Sequence, residues 1–200
     1  MIVLLLGPHG AGKTSLGRSL SALSGWTFHD EIGKDLASDP SHRASEVQVH
    51  HRQPSFDREV FAREVARDLA FEAEGSCGVR IVETWHPGNL AYATRSPEVV
   101  LATLPCLRDS IAWSRVVVVP VTASPDLLET RKTYPEPLAY FLRIAAISLA
   151  IANGFGAHIK EPVITSRNTP DGIAAALLPS LEGLARRMRA RPTASRLTPV

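Results

Sequence analysis

"GPHGAGKT", residues 7–14, decides how the rest of the chain is read. It fits the spacing G-x-x-x-x-G-K-[ST] and stands between a short apolar run, residues 1–6, and a helix-compatible stretch, "SLGRSLSALS". The glycines let the backbone wrap, so that its N–H groups point at phosphate oxygens at the positive end of the following helix. In such a loop Lys13 reaches the β and γ phosphates of a nucleotide, and the Thr14 hydroxyl is a ligand for Mg²⁺. The expected nucleotide contacts are therefore Gly7, His9, Gly10, Ala11, Gly12, Lys13, Thr14 and Ser15, with Mg²⁺ beside the phosphates. His9 is either a working group or a loop position whose side chain faces away from the phosphates.

Further along the chain, apolar runs like residues 1–6 recur at Val79–Val82, Val116–Val121 and Pro162–Thr165, with a weaker one at Trp26–His29. Helix-length segments separate them. That alternation predicts a parallel sheet with helices on both faces; together with the G-x-x-x-x-G-K-T loop it resembles a three-layer α/β/α P-loop NTPase fold with a five-stranded sheet and a short lid. Ser96-Pro97-Glu98, Ser124-Pro125-Asp126 and Thr169-Pro170-Asp171 each supply a capping hydroxyl, a proline for the first helical position and an acid for the first turn. Between Ser55 and Ala73, Phe56, Val60, Val65 and Leu69 are spaced as the apolar stripe of an amphipathic helix. Leu138–Ala152 is nearly all apolar, is too short to span a membrane and contains Arg143, so it reads as a buried helix. Residues 34–54 lack periodicity and read as a loop or mobile segment beside the site.

With 44% hydrophobic content, 200 residues suit one compact domain. Cys77 and Cys106 stand far apart, which suggests neither a disulfide framework nor a zinc site, and a reducing, cytoplasmic setting is the expectation. The N-terminal run lacks the features of a signal peptide. Five arginines follow residue 185 without an acid; removing them from the 22 basic residues leaves 17 against 20 acids, a body of charge −3. That sign argues against a general nucleic-acid binder. Residues 186–200 read as a basic, flexible tail after a domain of residues 1–185. His42, His50 and His51 have no acids or cysteines at ligand spacing and read as solvated.

Taken in order, the motifs resemble the nucleoside and nucleotide kinase group of P-loop proteins, the thymidylate kinase and deoxynucleoside kinase relatives, with some similarity to nicotinamide riboside kinase-type domains. The resemblance covers most of residues 1–185. It rests on the P-loop and on "FHDEIGKDL" (28–36), "FDREVFAREVARDL" (56–69), "RIVETWHPGNLAYA" (80–93) and "VVVVPVTASPDLLETRK" (116–132). It implies an ATP- and Mg²⁺-dependent phosphotransferase acting on a small-molecule acceptor, a nucleoside or nucleoside monophosphate foremost, with no nucleic-acid or membrane partner. A homodimer is implied too, since the related kinases are often dimers. Two other readings compete: a P-loop ATPase or switch that drives a partner, and a kinase of a sugar- or shikimate-like acceptor. No hhhhD-E pair is present, which argues against the switch.

In the kinases resembled, the strand matching Ile81-Val82 ends in Asp-Arg or Glu-Arg, and its carboxylate acts on the acceptor hydroxyl or in the metal shell. Glu83 matches that carboxylate, while Thr84 stands where the arginine is expected. A short lid over about residues 131–137 places Arg131 and Lys132 over the transferring phosphate. The implied catalytic set is Lys13, Glu83, Arg131 and Arg143. For Arg143 the reasoning is also physical, because a lone cation in a buried apolar helix needs an anionic partner, either a phosphate or a buried acid. Arg167 and Asn168 in "SRNTPDG" either flank the adenine or form a plain strand-to-helix turn. Asp30 and Glu31 either hold a metal water or a sugar hydroxyl, or cap the helix that begins there. Trp85 either stacks on a base or simply packs. Arg58, with Arg43 and Arg52, is either a contact for an acceptor phosphate or a surface charge. The metal would take Thr14 and either Asp30 or Glu83.

Overall fold

In the computed structural model, which describes residues 1–38, 54–73, 78–131 and 135–190, the opening apolar run is the central strand, β1 (Ile2–Leu6). Val3 to Leu6 are at most 1% exposed, so the strand is covered on both faces. Alternate side chains feed two cores. Val3 and Leu5 join Ile81, Val117 and Val119 on one side of the sheet, and Leu4 and Leu6 join Val82, Trp85 and Val118 on the other.

The remaining strands are β2 (Thr27–His29), β3 (Arg80–Glu83), β4 (Val116–Thr122), β5 (His158–Ile159) and β6 (Val163–Ile164). Their order is β2-β3-β1-β4, with β5 and β6 both on the outer edge of β4, and every pairing is parallel. The expected fifth strand, Pro162–Thr165, is β6, which pairs with Val121-Thr122, and β5, against Val117-Val118, is an additional short strand before it. Lys160 N–H still reaches the Val118 carbonyl at 2.8 Å. Pro162, which has no N–H, then prevents an unbroken ladder.

Helices cover both faces, as the β/α alternation requires. Helix α1 (Lys13–Ser24) packs with the long C-terminal helix, α8 (Pro170–Ala190), whereas α4 (Trp85–Tyr92) packs with α7 (Leu138–Gly154). The others are α2 (Ile32–Ser38), α3 (Pro54–Ala73), α5 (Pro97–Ser110) and α6 (Pro125–Thr130). Because β1 has β3 on one side and β4 on the other, the chain changes direction across the sheet at β1, and a crevice opens at the carboxyl ends of these strands. That crevice receives residues 7–14.

Several helix expectations change. The starts at Pro97, Pro125 and Pro170 are as the sequence predicts, but only Thr169 caps its helix, with Oγ1 accepting from Gly172 N–H at 3.2 Å. Ser96 instead donates its hydroxyl to Asp57 Oδ2 at 2.8 Å. On α3, Val65 and Leu69 are 44% and 61% exposed, while Asp57, Val60, Phe61, Glu64 and Phe71 are buried. The expected stripe thus holds at Phe56 and Val60 and fails at Val65 and Leu69, because part of the buried face of α3 is polar. Helix α7 is only half buried: Leu142 and Arg143 face solvent. Residues 32–38 are helical, Pro54 opens α3, and residues 39–53, with Arg43, Arg52 and the three histidines, lie outside the described residues. Helix α8 runs on to Ala190, and Met188 packs on the core. No helix among the described residues is long and apolar enough to cross a membrane.

Gly17 tests the packing of α1 on the sheet. A Cβ there would stand 2.3 Å from Phe28 Cε2. Alanine improves helix propensity by about 1 kcal/mol, yet overpacking costs about 1–3 kcal/mol. Gly17→Ala is expected to lower the denaturation midpoint; a rise would mean that α1 and β2 are less closely packed than described.

Candidate active site

Residues 7–14 leave the end of β1 and close over the start of α1. Gly10 (φ 79°) and Gly12 (φ 86°) occupy left-handed backbone that side chains rarely adopt. Gly7 is forced differently: a Cβ would lie 1.9 Å from the Val121 carbonyl oxygen, which is backbone and cannot yield. Thr165, just after β6, braces the loop by donating its hydroxyl to the carbonyls of Ala11 (2.8 Å) and Thr122 (3.1 Å). Nothing in the sequence marked Thr165; only the pairing of β6 with β4 places it there.

The parallel register sets Leu5 beside Glu83, which delivers the carboxylate to the loop. Thr14 Oγ1 donates to Glu83 Oε2 at 2.7 Å, and Lys13 Nζ lies 3.7 Å from Oε1. Lys13 also donates to the carbonyls of Gly7 (3.1 Å) and Pro8 (3.2 Å). Both charged groups are buried, at 7% and 4% exposure. Burial pushes the Glu83 carboxyl above its ordinary value and the neighbouring Glu31 charge adds to this, while Lys13 and the Thr14 hydroxyl oppose it.

The backbone turns sharply after Glu83. Thr84 has φ 66° and ψ −62°, and Trp85 has φ 46°. Thr84 Oγ1 donates to Glu31 Oε2 at 3.0 Å, so the residue standing where an arginine was expected holds Glu31 beside the end of β3. Gly88 allows the turn, since a Cβ there would meet Thr84 Cγ2 at 2.3 Å.

A pocket adjoins the loop. His9 and Glu31 stand on its wall with Lys34, Asp57, Asn89 and Glu136, and Phe56, Phe61, Tyr92, Tyr140 and Phe141 make it largely aromatic. The His9 ring lies 5.8 Å from Phe141. Burial first, then the Lys13 charge, lowers its pKa and favours the neutral imidazole. His9 therefore faces the pocket. "PEPLAYF" (135–141) and "GNLAY" (88–92) supply much of this wall, and only the packing of α4 on α7 could reveal it.

The other expected residues are scattered. Arg131 reaches the loop, its Nη1 3.5 Å from the Gly10 carbonyl, whereas Lys132 lies outside the described residues. Arg143 is exposed on α7 and lines an open depression with Arg95, Glu136 and Tyr140. The premise of a cation buried in an apolar helix therefore fails. Trp85 is 1% exposed and packs on Trp113, offering no face to a ligand. Arg58 is exposed and away from the pocket wall. Asp30 faces Arg18 across 3.6 Å, and Arg167 and Asn168 are exposed beyond β6, as Ser15 is on α1. Cys106 is a free, exposed thiol.

The loop suits a nucleoside triphosphate: Gly10 and Gly12 hold the left-handed backbone of an anion-binding turn, and Lys13 and Thr14 are the donor and metal ligand such a group needs. Among the described residues no group of three or more His, Cys, Asp or Glu could hold a metal. A Mg²⁺ that keeps waters and phosphate oxygens needs only a hydroxyl and a carboxylate.

No protein-family model matches the chain, and no curated protein matches it. Solved structures do. Shikimate kinase from Aquifex aeolicus is similar at 22% identity with a TM-score of 0.52, over 93% of this chain and 99% of that one. Deoxyadenosine kinase from M. mycoides, with dCMP and dCDP bound, has 11% identity and a TM-score of 0.61, over 92% and 100%. Thymidylate kinase from Candida albicans has 12% identity and a TM-score of 0.58, over 91% of each. At these identities the likeness establishes the fold: a parallel sheet flanked by helices, shared with P-loop kinases.

Glu64, behind the pocket, yields a pH prediction. It is 0% exposed, pairs with Arg67 and accepts from Asn89 Nδ2 at 3.1 Å. Burial outweighs both partners and lifts its pKa from 4.5 to about 7. Between those values the folded protein keeps a proton that the unfolded chain has lost. The stability present below pH 4.5 is therefore lost as pH rises through about 7. Against Glu64→Gln, the wild type should lose on the order of a few kcal/mol across this window. A difference that stays flat with pH would show that Glu64 is ionised throughout.

Proposed function

We propose that the protein is an ATP- and Mg²⁺-dependent phosphotransferase with a small-molecule acceptor. The observation that carries this reading is the aromatic pocket beginning at His9, on the phosphate loop itself. A nucleotide switch has no use for such a pocket, whereas a kinase must hold an acceptor hydroxyl within reach of the γ-phosphoryl.

The two carboxylates divide the work. Glu83 is bonded to Thr14 and faces Lys13, so it belongs to the metal side, where it would hold a magnesium water or orient Thr14. Glu31 stands on the pocket wall, so it would accept the proton of the acceptor hydroxyl. Lys13 would exchange its carbonyl partners for phosphate oxygens, and Arg131, beside Gly10, would screen charge on the transferring group. Mg²⁺ would be held by the Thr14 hydroxyl with Glu83 beside it, and would supply charge neutralisation on the phosphates. Excluding water from the acceptor side falls to the aromatic wall.

Five aromatic side chains suit a flat ring better than a sugar or shikimate-like carbocycle, which supports a nucleoside or nucleoside monophosphate as acceptor. A screen of nucleosides, nucleoside monophosphates and small sugars with ATP is expected to find turnover in the first two groups. ATP consumption that needs a macromolecular partner and no small acceptor would favour the switch.

Variants separate the roles. Lys13→Ala should cut transfer by ~10²–10³-fold, the cost of losing one preorganised donor. Glu31→Gln should lower turnover with ATP affinity intact, whereas Glu83→Gln should weaken the magnesium-dependent part of ATP binding. If Glu31→Gln turns over normally and Glu83→Gln alone is slow with unchanged ATP affinity, the two assignments are exchanged.

A further inference from the structure

Helix α3 carries a polar row on its inner side, Glu64, Arg67 and Asp68, at the three- and four-residue spacing of one helix face. Each member reaches a different corner of the site. Glu64 holds Asn89 of the pocket wall at 3.1 Å. Arg67 Nη1 donates to the Asp30 carbonyl at 3.1 Å, one residue before Glu31. Asp68 takes two donors: Trp85 Nε1 to Oδ1 at 3.1 Å and His86 Nε2 to Oδ2 at 2.6 Å.

The corner that Asp68 grips is the strained one. Thr84 and Trp85 are consecutive non-glycine residues with positive φ, and such residues persist only where the surroundings over-determine them. Packing fixes the Trp85 ring in the core, but packing alone leaves the polar edges of Trp85 and His86 unsatisfied. His86 is 0% exposed, so its Nε2–H depends on a protein acceptor. Asp68 meets both donors with one carboxylate, and that fixes how the 84–86 backbone is turned. Glu83 is the residue immediately before this turn.

We infer that Asp68 is a positioning residue of the site: by holding Trp85 and His86 it maintains the Thr84 corner and so keeps the Glu83 carboxylate on Thr14 and Lys13. It touches neither loop nor pocket. The inference rests on the magnesium-side role proposed above for Glu83.

The test needs no acceptor. Binding of a fluorescent ATP analogue is measured with and without Mg²⁺ for wild type, Glu83→Gln, Asp68→Asn, Asp68→Glu and Arg63→Ala, the last breaking only an exposed pair with Glu59 on the same helix. An asparagine cannot accept from both donors. Asp68→Asn is therefore expected to lose ~10–100-fold of the magnesium-dependent affinity, the usual effect of removing a group that supports a metal ligand, while magnesium-free affinity is kept. The Trp85 indole N–H resonance should shift with it. Arg63→Ala should match wild type. Asp68→Glu keeps the charge one methylene further out, should fall between, and supplies the same readout if Asp68→Asn does not fold.

Wild-type magnesium dependence in the Asp68 variants, or parallel loss of magnesium-free binding, overturns the positioning role. If wild type binds no nucleotide, the phosphotransferase reading fails instead. If Glu83→Gln leaves the magnesium dependence unaltered, the role of Glu83 fails and this inference falls with it.

Discussion

The contact between Glu83 and the Lys13-Thr14 pair joins groups about seventy residues apart, and the site depends on it. It exists because β1 and β3 are parallel neighbours with Leu5 level with Glu83. A one-residue slip would turn the carboxylate to the other face of the sheet, so the register that fills the two cores also places Glu83 on the loop. The cost is concentrated at that point. A buried carboxylate faces a buried ammonium, a second acid stands close by, and the backbone takes two positive φ values in succession. Strain and buried charge of this kind are tolerated where a function requires the geometry.

The fold was largely legible in the sequence. Gly-x-x-x-x-Gly-Lys-Thr after a buried apolar run is a strong local signal, and the Ser-Pro-Glu, Ser-Pro-Asp and Thr-Pro-Asp starts fixed three helix boundaries through the geometry of proline. What failed did so for identifiable reasons. On helix α3 the expected apolar stripe holds at Phe56 and Val60 and fails at Val65 and Leu69, because hydrophobic spacing cannot anticipate a buried face built partly from Asp57 and Glu64. Arg143 was assigned a partner on the premise that an apolar helix is buried all round, and α7 has an exposed side.

The site divides the same way. Lys13, Thr14 and Glu83 could be found because each ends a strand or follows a glycine turn, positions that local sequence reports. Thr165, Glu136 and the aromatic wall could not, because they meet the loop only through tertiary packing of β6, α3 and α7. Thr84 lies between these cases. Its departure from the Glu-Arg pattern was visible in the sequence, but its use was not: it takes a backbone turn that no propensity predicts and lends its hydroxyl to Glu31. Arginine at that position would carry a charge between two carboxylates, whereas threonine holds Glu31 without one.

The most direct test of this account is a crystal structure with Mg²⁺ and a non-hydrolysable ATP analogue. The triphosphate is expected along residues 7–14, with Lys13 Nζ moved from the Gly7 and Pro8 carbonyls to phosphate oxygens, Thr14 Oγ1 on the metal and Glu83 in its outer shell. A triphosphate bound elsewhere, or bound while Lys13 and Thr14 keep their present partners, would contradict the account.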